Sequence, residues 1–323
     1  MMKVLVLGGT GYIGSRVVAL LAQSGWATPV STSRRSGIDA TDVDSMKRAL
    51  QGMDAVVNCV AGSREAIAQG ARALVEAALA CGLPRIVHLS TMSVYGALEG
   101  ELTEASPRDP SIGWYARAKC EAEDVIADYE GAGVMLRPGC VWGPGSDLWV
   151  GRIGRLLHAG RLGDLGAAAD GWSNLVALDD VCNAVVNSLR IPVAAGVPHV
   201  FNLSAPDSPR WNDYFVDLAL AIGATPVPRL SARRVKLDAK LLGPPLKIAE
   251  ILLRKAGRAA RVLPDSIPPG LPGVFERQLH LRAELAAREL GVAWTPYART
   301  LQESAAWFNA THAQAGCDSA VTA

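Results

Sequence analysis

Tyr115 and Lys119 stand four residues apart in Tyr115-Ala116-Arg117-Ala118-Lys119, a spacing that puts a phenol and an ammonium on one helix face. A phenol ordinarily ionises near pH 10, and a nearby cation favours the phenolate, making it a usable acid/base group. The hydroxyls of Ser90-Thr91-Met92-Ser93 precede the pair in the chain and can complete a proton relay to a carbonyl or alcohol oxygen. Taken alone, a Tyr/Lys pair at this spacing is more often an exposed helix pair. Its chemical reading depends on what the rest of the chain places around it.

Residues 3–14 read Lys3-Val4-Leu5-Val6-Leu7-Gly8-Gly9-Thr10-Gly11-Tyr12-Ile13-Gly14. An apolar strand over Lys3–Leu7 runs straight into spaced glycines and then into a helix. Gly8 suits a tight turn, Gly11 lets the main chain approach a pyrophosphate, and Gly14 lets the helix pack closely on the sheet. The helix N-terminus offers unpaired N–H groups and a positive dipole end to the phosphates. Gly8, Thr10, Gly11, Tyr12, Ile13 and Gly14 are therefore assigned to a dinucleotide cofactor. A purely structural glycine-rich turn is the alternative.

Apolar runs and helical patterns alternate beyond this point. Strands are expected at Ala27–Thr32, Ala55–Cys59, Arg85–Leu89 and Val134–Leu136, and helices at Val43–Leu50, Arg64–Ala80 and Ser111–Tyr129. That alternation predicts an α/β fold, a Rossmann-type doubly wound parallel sheet. Its ligands bind beyond the C-terminal strand ends, so the segments beginning at Gly8, Ser33, Val60, Ser90 and Arg137 should share one crevice. Later elements are expected at Ser173–Leu178 (strand), Asp179–Leu189 (helix), His199–Leu203 (strand) and Trp211–Ile222 (helix). The basic stretch Arg229–Gly257 is helical in period but interrupted by Gly-Pro-Pro at 243–245, and Pro264–Pro272 reads as a connector. Arg282–Glu289 and Ala298–Phe308 read as surface helices. The expected organisation is a dinucleotide-binding domain over 1–143 and 174–203, a smaller α/β substrate lobe over 144–173 and 204–311, and a flexible tail at 312–323.

Composition narrows the class. With Lys+Arg 32 against Asp+Glu 31 the net charge is +1, so no global field recruits nucleic acid or membrane. No apolar run reaches the roughly 20 residues that span a bilayer, and the N-terminus reads as a strand rather than a cleavable signal. Neither nucleic acid nor membrane is expected as a partner, and the location is expected to be cytoplasmic. The six cysteines are scattered without metal or disulfide spacing, which suits free thiols in a reducing compartment and no bound metal.

Several motifs give the chain a family resemblance. Besides the glycine run and Tyr115…Lys119, they are His88-Leu89-Ser90-Thr91-Met92-Ser93-Val94-Tyr95-Gly96, Arg137-Pro138-Gly139-Cys140-Val141-Trp142-Gly143-Pro144-Gly145 and Val176-Ala177-Leu178-Asp179-Asp180-Val181. The chain resembles the short-chain dehydrogenases/reductases of the extended type, the group of NAD-dependent epimerases and dehydratases. The resemblance implies an NAD(P)-dependent oxidoreductase acting on CH–OH and C=O groups. It implies that Tyr115 is the general acid/base, and that Lys119 binds the nicotinamide ribose and lowers the Tyr115 pKa. Thr91 would be the catalytic hydroxyl, with Ser93 a second hydroxyl on the substrate side. Asp39 and Ala40 would meet the adenine, Val60, Ala61 and Gly62 the cofactor's ribose, and Pro138 the nicotinamide. Asp179-Asp180 is expected to be structural, capping the next helix. A homodimer is also compatible with the family.

The second strand ends in Ser31-Thr32-Ser33-Arg34-Arg35-Ser36 with no acid before Asp39. Arg34 and Arg35 suit a ribose 2′-phosphate, so NADP(H) is preferred, with NAD(H) as the alternative. Nucleotide-sugar members place an asparagine where this chain has Cys140, and often a basic residue where it has Gly171-Trp172-Ser173-Asn174. Dehydratases tend to follow the threonine with Asp-Glu, where Met92-Ser93 stands here. Trp142, Trp149 and Trp172 suit a less polar substrate, although core packing is the commoner use of tryptophan. The reading is an NADPH-dependent reductase of a ketone or aldehyde of a non-nucleotide metabolite. A nucleotide-sugar epimerase with tightly bound NAD and a non-enzymatic NADP(H) sensor are the rivals.

Overall fold

The first strand, β1 (Met2–Leu7), is buried on both faces from Val4 to Leu7, as the centre of a parallel sheet requires. It pairs in parallel with β2 (Ala27–Thr32) on one side and β3 (Ala55–Asn58) on the other. The sheet continues through β4 (Arg85–Leu89), β6 (Gly133–Pro138) and β9 (His199–Leu203), in the order β2-β1-β3-β4-β6-β9. Two short pairs, β5 (Gly100–Leu102) with β10 (Leu279–Leu281) and β7 (Cys140–Trp142) with β8 (Leu175–Ala177), complete the strands. The computed structural model describes residues 1–32, 37–255 and 264–320.

Helices cover both faces of the main sheet. On one side α1 (Tyr12–Gln23) and α6 (Leu178–Ser188) bury Val17, Leu21, Val181 and Val185 against Val6, Val57, Val87, Leu136 and Phe201. On the other, α2 (Val43–Leu50), α3 (Arg64–Ala80) and α4 (Trp114–Ala127) bury Met46, Leu50, Leu74 and Ile126 against Leu5, Val56, Ile86 and Met135. Between α3 and α4 the small residues Ala71, Ala118 and Ala122 pack with Ile67. The helix expected from Ser111 begins later, at Trp114. Residues Pro110–Ile112 instead form a short turn held by the Asp109 carboxylate on the Ser111 amide (2.9 Å), and Gly113 at φ +145° separates the two.

The chain separates into two units. The first comprises Met1–Val141, Val176–Pro206 and His280–Thr295, and the second Trp142–Leu175, Asp207–Leu279 and Pro296–Ala323. Residues 280–295, expected in the substrate lobe, belong with the sheet. There α11 (Glu284–Glu289) is a surface helix packed on the sheet: it buries Ala286 while Glu284, Arg288 and Glu289 stay exposed, and Leu290 and Val292 follow it into the sheet's core. The Asn187 amide donates to the Leu290 carbonyl (2.8 Å), and the Asp180 carboxylate accepts from the amide and hydroxyl of Thr295 (2.8 and 2.7 Å). Asp180 thus ties α6 to this segment, and Asp179 takes a bidentate Arg16 (2.7 and 2.8 Å); neither carboxylate caps α6.

The second unit is built on α5 (Arg152–His158), α7 (Trp211–Ile222), α8 (Ala232–Leu237), α9 (Gly243–Lys255), α10 (Leu271–Phe275) and α12 (Tyr297–Ala320). Trp211, Tyr214, Phe215 and Phe275 form its aromatic centre, with ring centroids 4.9–6.1 Å apart. Gly243-Pro244-Pro245 opens α9 rather than interrupting it, because the first turn needs no proline N–H. At Gly243 a Cβ would lie 2.6 Å from the Ile267 carbonyl oxygen, so only glycine permits that approach. Helix α12 runs on through Ala320, across most of the residues expected as a flexible tail.

Candidate active site

The parallel register brings the C-terminal ends of β1, β3, β4 and β6 to one edge of the sheet: Leu7 pairs with Asn58, Asn58 with His88, and Leu89 with Leu136. Gly8 follows β1 at φ +73°, and a Cβ there would lie 3.0 Å from the Cys59 carbonyl oxygen. The amides of Gly8 and Gly9 donate to the Thr32 carbonyl (3.1 and 3.2 Å), and the Gly11 amide donates back to Gly8 (2.9 Å). A Cβ at Gly14 would sit 2.3 Å from the Gly8 carbonyl oxygen. The α1 N-cap is Gly11, with no side-chain cap, and no acid stands in the first turn. A bare glycine turn leading to an uncapped helix N-terminus is a fitting cradle for a pyrophosphate. Thr10 and Gly11 are exposed at the turn, while Tyr12 and Ile13 are half-buried.

The hydroxyl segment leaves the end of β4, where the Ser90 amide donates to the Leu136 carbonyl (2.7 Å). Thr91 then caps a short turn over Met92–Tyr95. Its Oγ1 accepts from the Ser93 amide at 3.2 Å and reaches the Ser93 hydroxyl at 3.3 Å. The Thr91 side chain also lies beside the Tyr115 phenol. Tyr115 is 36% exposed overall, yet its hydroxyl end is desolvated, and this burial raises its pKa; the nearby Thr91 side chain pulls the other way.

Lys119, one turn further along α4, is 3% exposed, and its Nζ donates to the Leu89 carbonyl at 2.6 Å. Burial depresses its pKa to about 8, against the upward pull of Cys59 and Glu123. Lys119 is not among the groups that move Tyr115. Thr91 supplies the influence that opposes burial on the phenol, while Leu89 holds the Lys119 Nζ. Lys119 acts instead on His88, whose pKa is pushed well below its usual value by burial first and by this cation second.

Several residues of this region went unrecognised in the sequence. His88 is 1% exposed, and its Nδ1 faces the Asn58 Nδ2 at 3.1 Å. Asn58 Oδ1 already takes the Val60 amide (3.1 Å), so Nδ1 must accept and the ring proton sits on Nε2. Arg137 forks onto Glu123 at 2.9 and 2.6 Å, and its Nη1 donates to the Tyr95 hydroxyl at 2.9 Å. Tyr95 in turn donates to Asn202 Oδ1 at 2.7 Å. Glu123 stands four residues after Lys119, so the helix stripe begun by Tyr115 was a legible signal for it.

Val60 is half-buried at the end of β3, with Ala61 and Gly62 exposed after it, and Pro138 is buried at the end of β6. Ala40 is half-buried; Asp39 is exposed, and its carboxylate accepts from the Thr41 amide and hydroxyl (2.9 and 2.8 Å). Arg34 and Arg35 lie outside the described residues. The three tryptophans belong to the second unit. There Trp142 is 2% exposed, stacked on Tyr297 and edge-on to Tyr214. Trp149 packs on Trp211, and Arg210 lies over the Trp172 ring at 4.4 Å. No group of metal-ligating side chains occurs among the described residues.

The sequence matches the NAD dependent epimerase/dehydratase family over residues 4–204. The chain belongs to that family. It is an extended short-chain dehydrogenase/reductase and an enzyme of the NAD(P)-dependent oxidoreductase type. It is 31% identical over 251 residues to the protein YeeZ of Escherichia coli, covering 70% of this chain and 86% of that one. It is 31% identical over 276 residues to a 3-diazoavenalumate denitrifying reductase from a Streptomyces species, covering 75% and 88%. Its fold is shared with UDP-glucuronic acid 4-epimerase from Bacillus cereus, solved with UDP-glucuronic acid and NAD. That likeness has a TM-score of 0.70 at 18% identity and covers 96% of this chain and all of the other.

Proposed function

We propose that this enzyme is an NADPH-dependent reductase of a ketone or aldehyde carbonyl on a small, non-nucleotide metabolite, and an alcohol dehydrogenase in reverse. The observation that carries the proposal is the placing of the Tyr115 phenol beside Thr91, with buried Lys119 one turn further along α4 held by the Leu89 carbonyl at the end of β4. The glycine turn from Gly8 to Gly14 would hold the pyrophosphate, Asp39 and Ala40 the adenine end, and Val60, Ala61, Gly62, Lys119 and Pro138 the ribose and nicotinamide. When bound, the nicotinamide supplies or accepts the hydride. Tyr115, a phenol whose ionisation its burial opposes further, would give its proton to the substrate oxygen, and Thr91 would orient that oxygen through its hydroxyl. In the alcohol direction the same phenol must first lose its proton, and the Thr91 side chain beside it favours that ionised form.

The substrate class rests on what stands in place of nucleotide-sugar residues. Cys140 is buried in β7, with a thiol pushed far above its ordinary pKa, and cannot replace an amide clamp on a diphosphate. The relative named as a reductase favours the same side. Replacing Tyr115 by Phe should reduce turnover at least about 100-fold, the scale of a lost general acid, while NADPH titrations give an unchanged Kd. Near-normal turnover would remove Tyr115 from the mechanism. NAD that co-purifies with the enzyme, with no net consumption of added cofactor, would turn the reading to an epimerase. NADPH binding without turnover across a carbonyl panel would turn it to a sensor.

The NADPH preference rests on Arg34 and Arg35, planar forks suited to a 2′-phosphate. Arg34→Ala should raise KM for NADPH roughly tenfold, the loss of one charge-assisted contact, and leave KM for NADH unaltered. An unchanged ratio of the two would remove the assignment.

A further inference from the structure

The second unit carries a row of exposed apolar side chains on the helical stretch from α8 through a wider turn at Asp238–Leu242 into α9. Leu237, Leu241, Leu242, Ile248, Ile251 and Leu252 are 45–67% exposed. They are not the inward face, which is made by buried Val235 and Ala239, by Gly243 against Ile267, and by half-buried Leu246, Ala249 and Leu253. One exposed leucine needs no explanation; six on one stretch do.

The charge beside this row is predominantly positive. Lys236, Lys240 and Lys247 directly precede Leu237, Leu241 and Ile248 and are exposed. One residue is about 100° of helix rotation, so the lysines border the apolar row along its length. Arg233 and Arg234 are exposed at its N-terminal end, and Lys236 also reaches Glu276 (2.7 Å). Of the two acids on the stretch, Asp238 and Glu250, Asp238 accepts a bidentate Arg161 (2.9 and 2.5 Å), which offsets its charge. Residues 232–255 hold seven Lys/Arg and two acids, in a chain whose totals nearly balance. Among the described residues no helix is long and apolar enough to cross a membrane.

We infer that this face docks peripherally on an anionic lipid surface, with the leucines and isoleucines in the headgroup boundary and the lysines on lipid phosphates. A basic-edged apolar helix lying in the interface has this composition, and each lysine near such a surface adds electrostatic attraction to the lipid phosphates. A second copy is the poorer occupant, because a two-fold contact would set the lysine border against itself.

Co-sedimentation of the full chain with phosphatidylcholine vesicles, with and without about one-third phosphatidylglycerol, tests the inference. The anionic vesicles should bind at least roughly tenfold more tightly, and less so as salt is raised. Lys240→Glu with Lys247→Glu should weaken that binding by about tenfold or more. Leu241→Ser with Leu252→Ser should abolish it at any salt, with the unfolding midpoint unchanged because both side chains already face water. Failure of the wild-type chain to bind anionic vesicles overturns the inference. So does binding that ignores lipid charge, or a wild-type dimer in sedimentation velocity that the leucine variant disperses while vesicles bind neither.

Discussion

At the scale of single residues, Lys119 carries its charge where burial opposes it. Its pKa falls from 10.5 to about 8, so between about pH 8 and 10.5 the unfolded chain binds more protons than the folded one. Stability therefore rises with pH across that window, and the destabilising contribution is fully present below it. Lys119→Met should stabilise the protein at pH 7 by up to roughly 3 kcal/mol, less the lost bond to Leu89. It should also erase the rise between pH 8 and 10. Urea denaturation of both proteins at several pH values reads this; a flat wild-type profile would contradict it. The sequence showed Tyr115 and Lys119 because helix spacing is fixed by geometry. It could not show that Leu89 would hold the ammonium, nor that Asn58 and His88 would meet across two strands, because register brings those atoms together and periodicity does not encode it.

Between elements, Arg137 joins two others to its own strand. From β6 it reaches Glu123 on α4 and Tyr95 at the end of the turn that Thr91 begins. The side chains of that turn and the helix of Tyr115 are thus referred to one buried cation, 5% exposed, whose pKa its partners raise further. Glu123→Gln should destabilise by about 3 kcal/mol, since it leaves a buried guanidinium without its charge partner. The double variant Glu123→Leu/Arg137→Met should recover most of that loss, as apolar replacements of buried pairs do. Guanidinium unfolding of both variants measures the difference, and additive losses would exclude the coupling. Element bounds were most legible where one signal acted alone: β2, α2, α3, β4, β9 and α7 begin and end where expected. They failed where two signals competed. Gly113 and the Asp109 turn delayed α4, and the prolines that read as a break opened α9.

Across the whole molecule, the balanced charge of the chain conceals an uneven distribution, since the basic stretch of α8 and α9 is offset elsewhere. Family and sheet were legible because motifs and alternation recur in a fixed order along the chain. The membership of residues 280–295 was not, because Leu290 and Val292 read alike as the core of either unit. Substrate identity lies with side chains whose partners come from distant segments, and no local pattern records those meetings. The two units are also interleaved, each assembled from three stretches of chain. On the ribosome, where domains ordinarily fold in order as they emerge, neither unit here has that option. The latch between Asp180 and Thr295 closes only after Thr295 has been made, when most of the second unit has already left the tunnel. The nascent chain must keep an unfinished sheet and an unfinished helical unit apart at the same time, and the order of synthesis cannot be the order of folding.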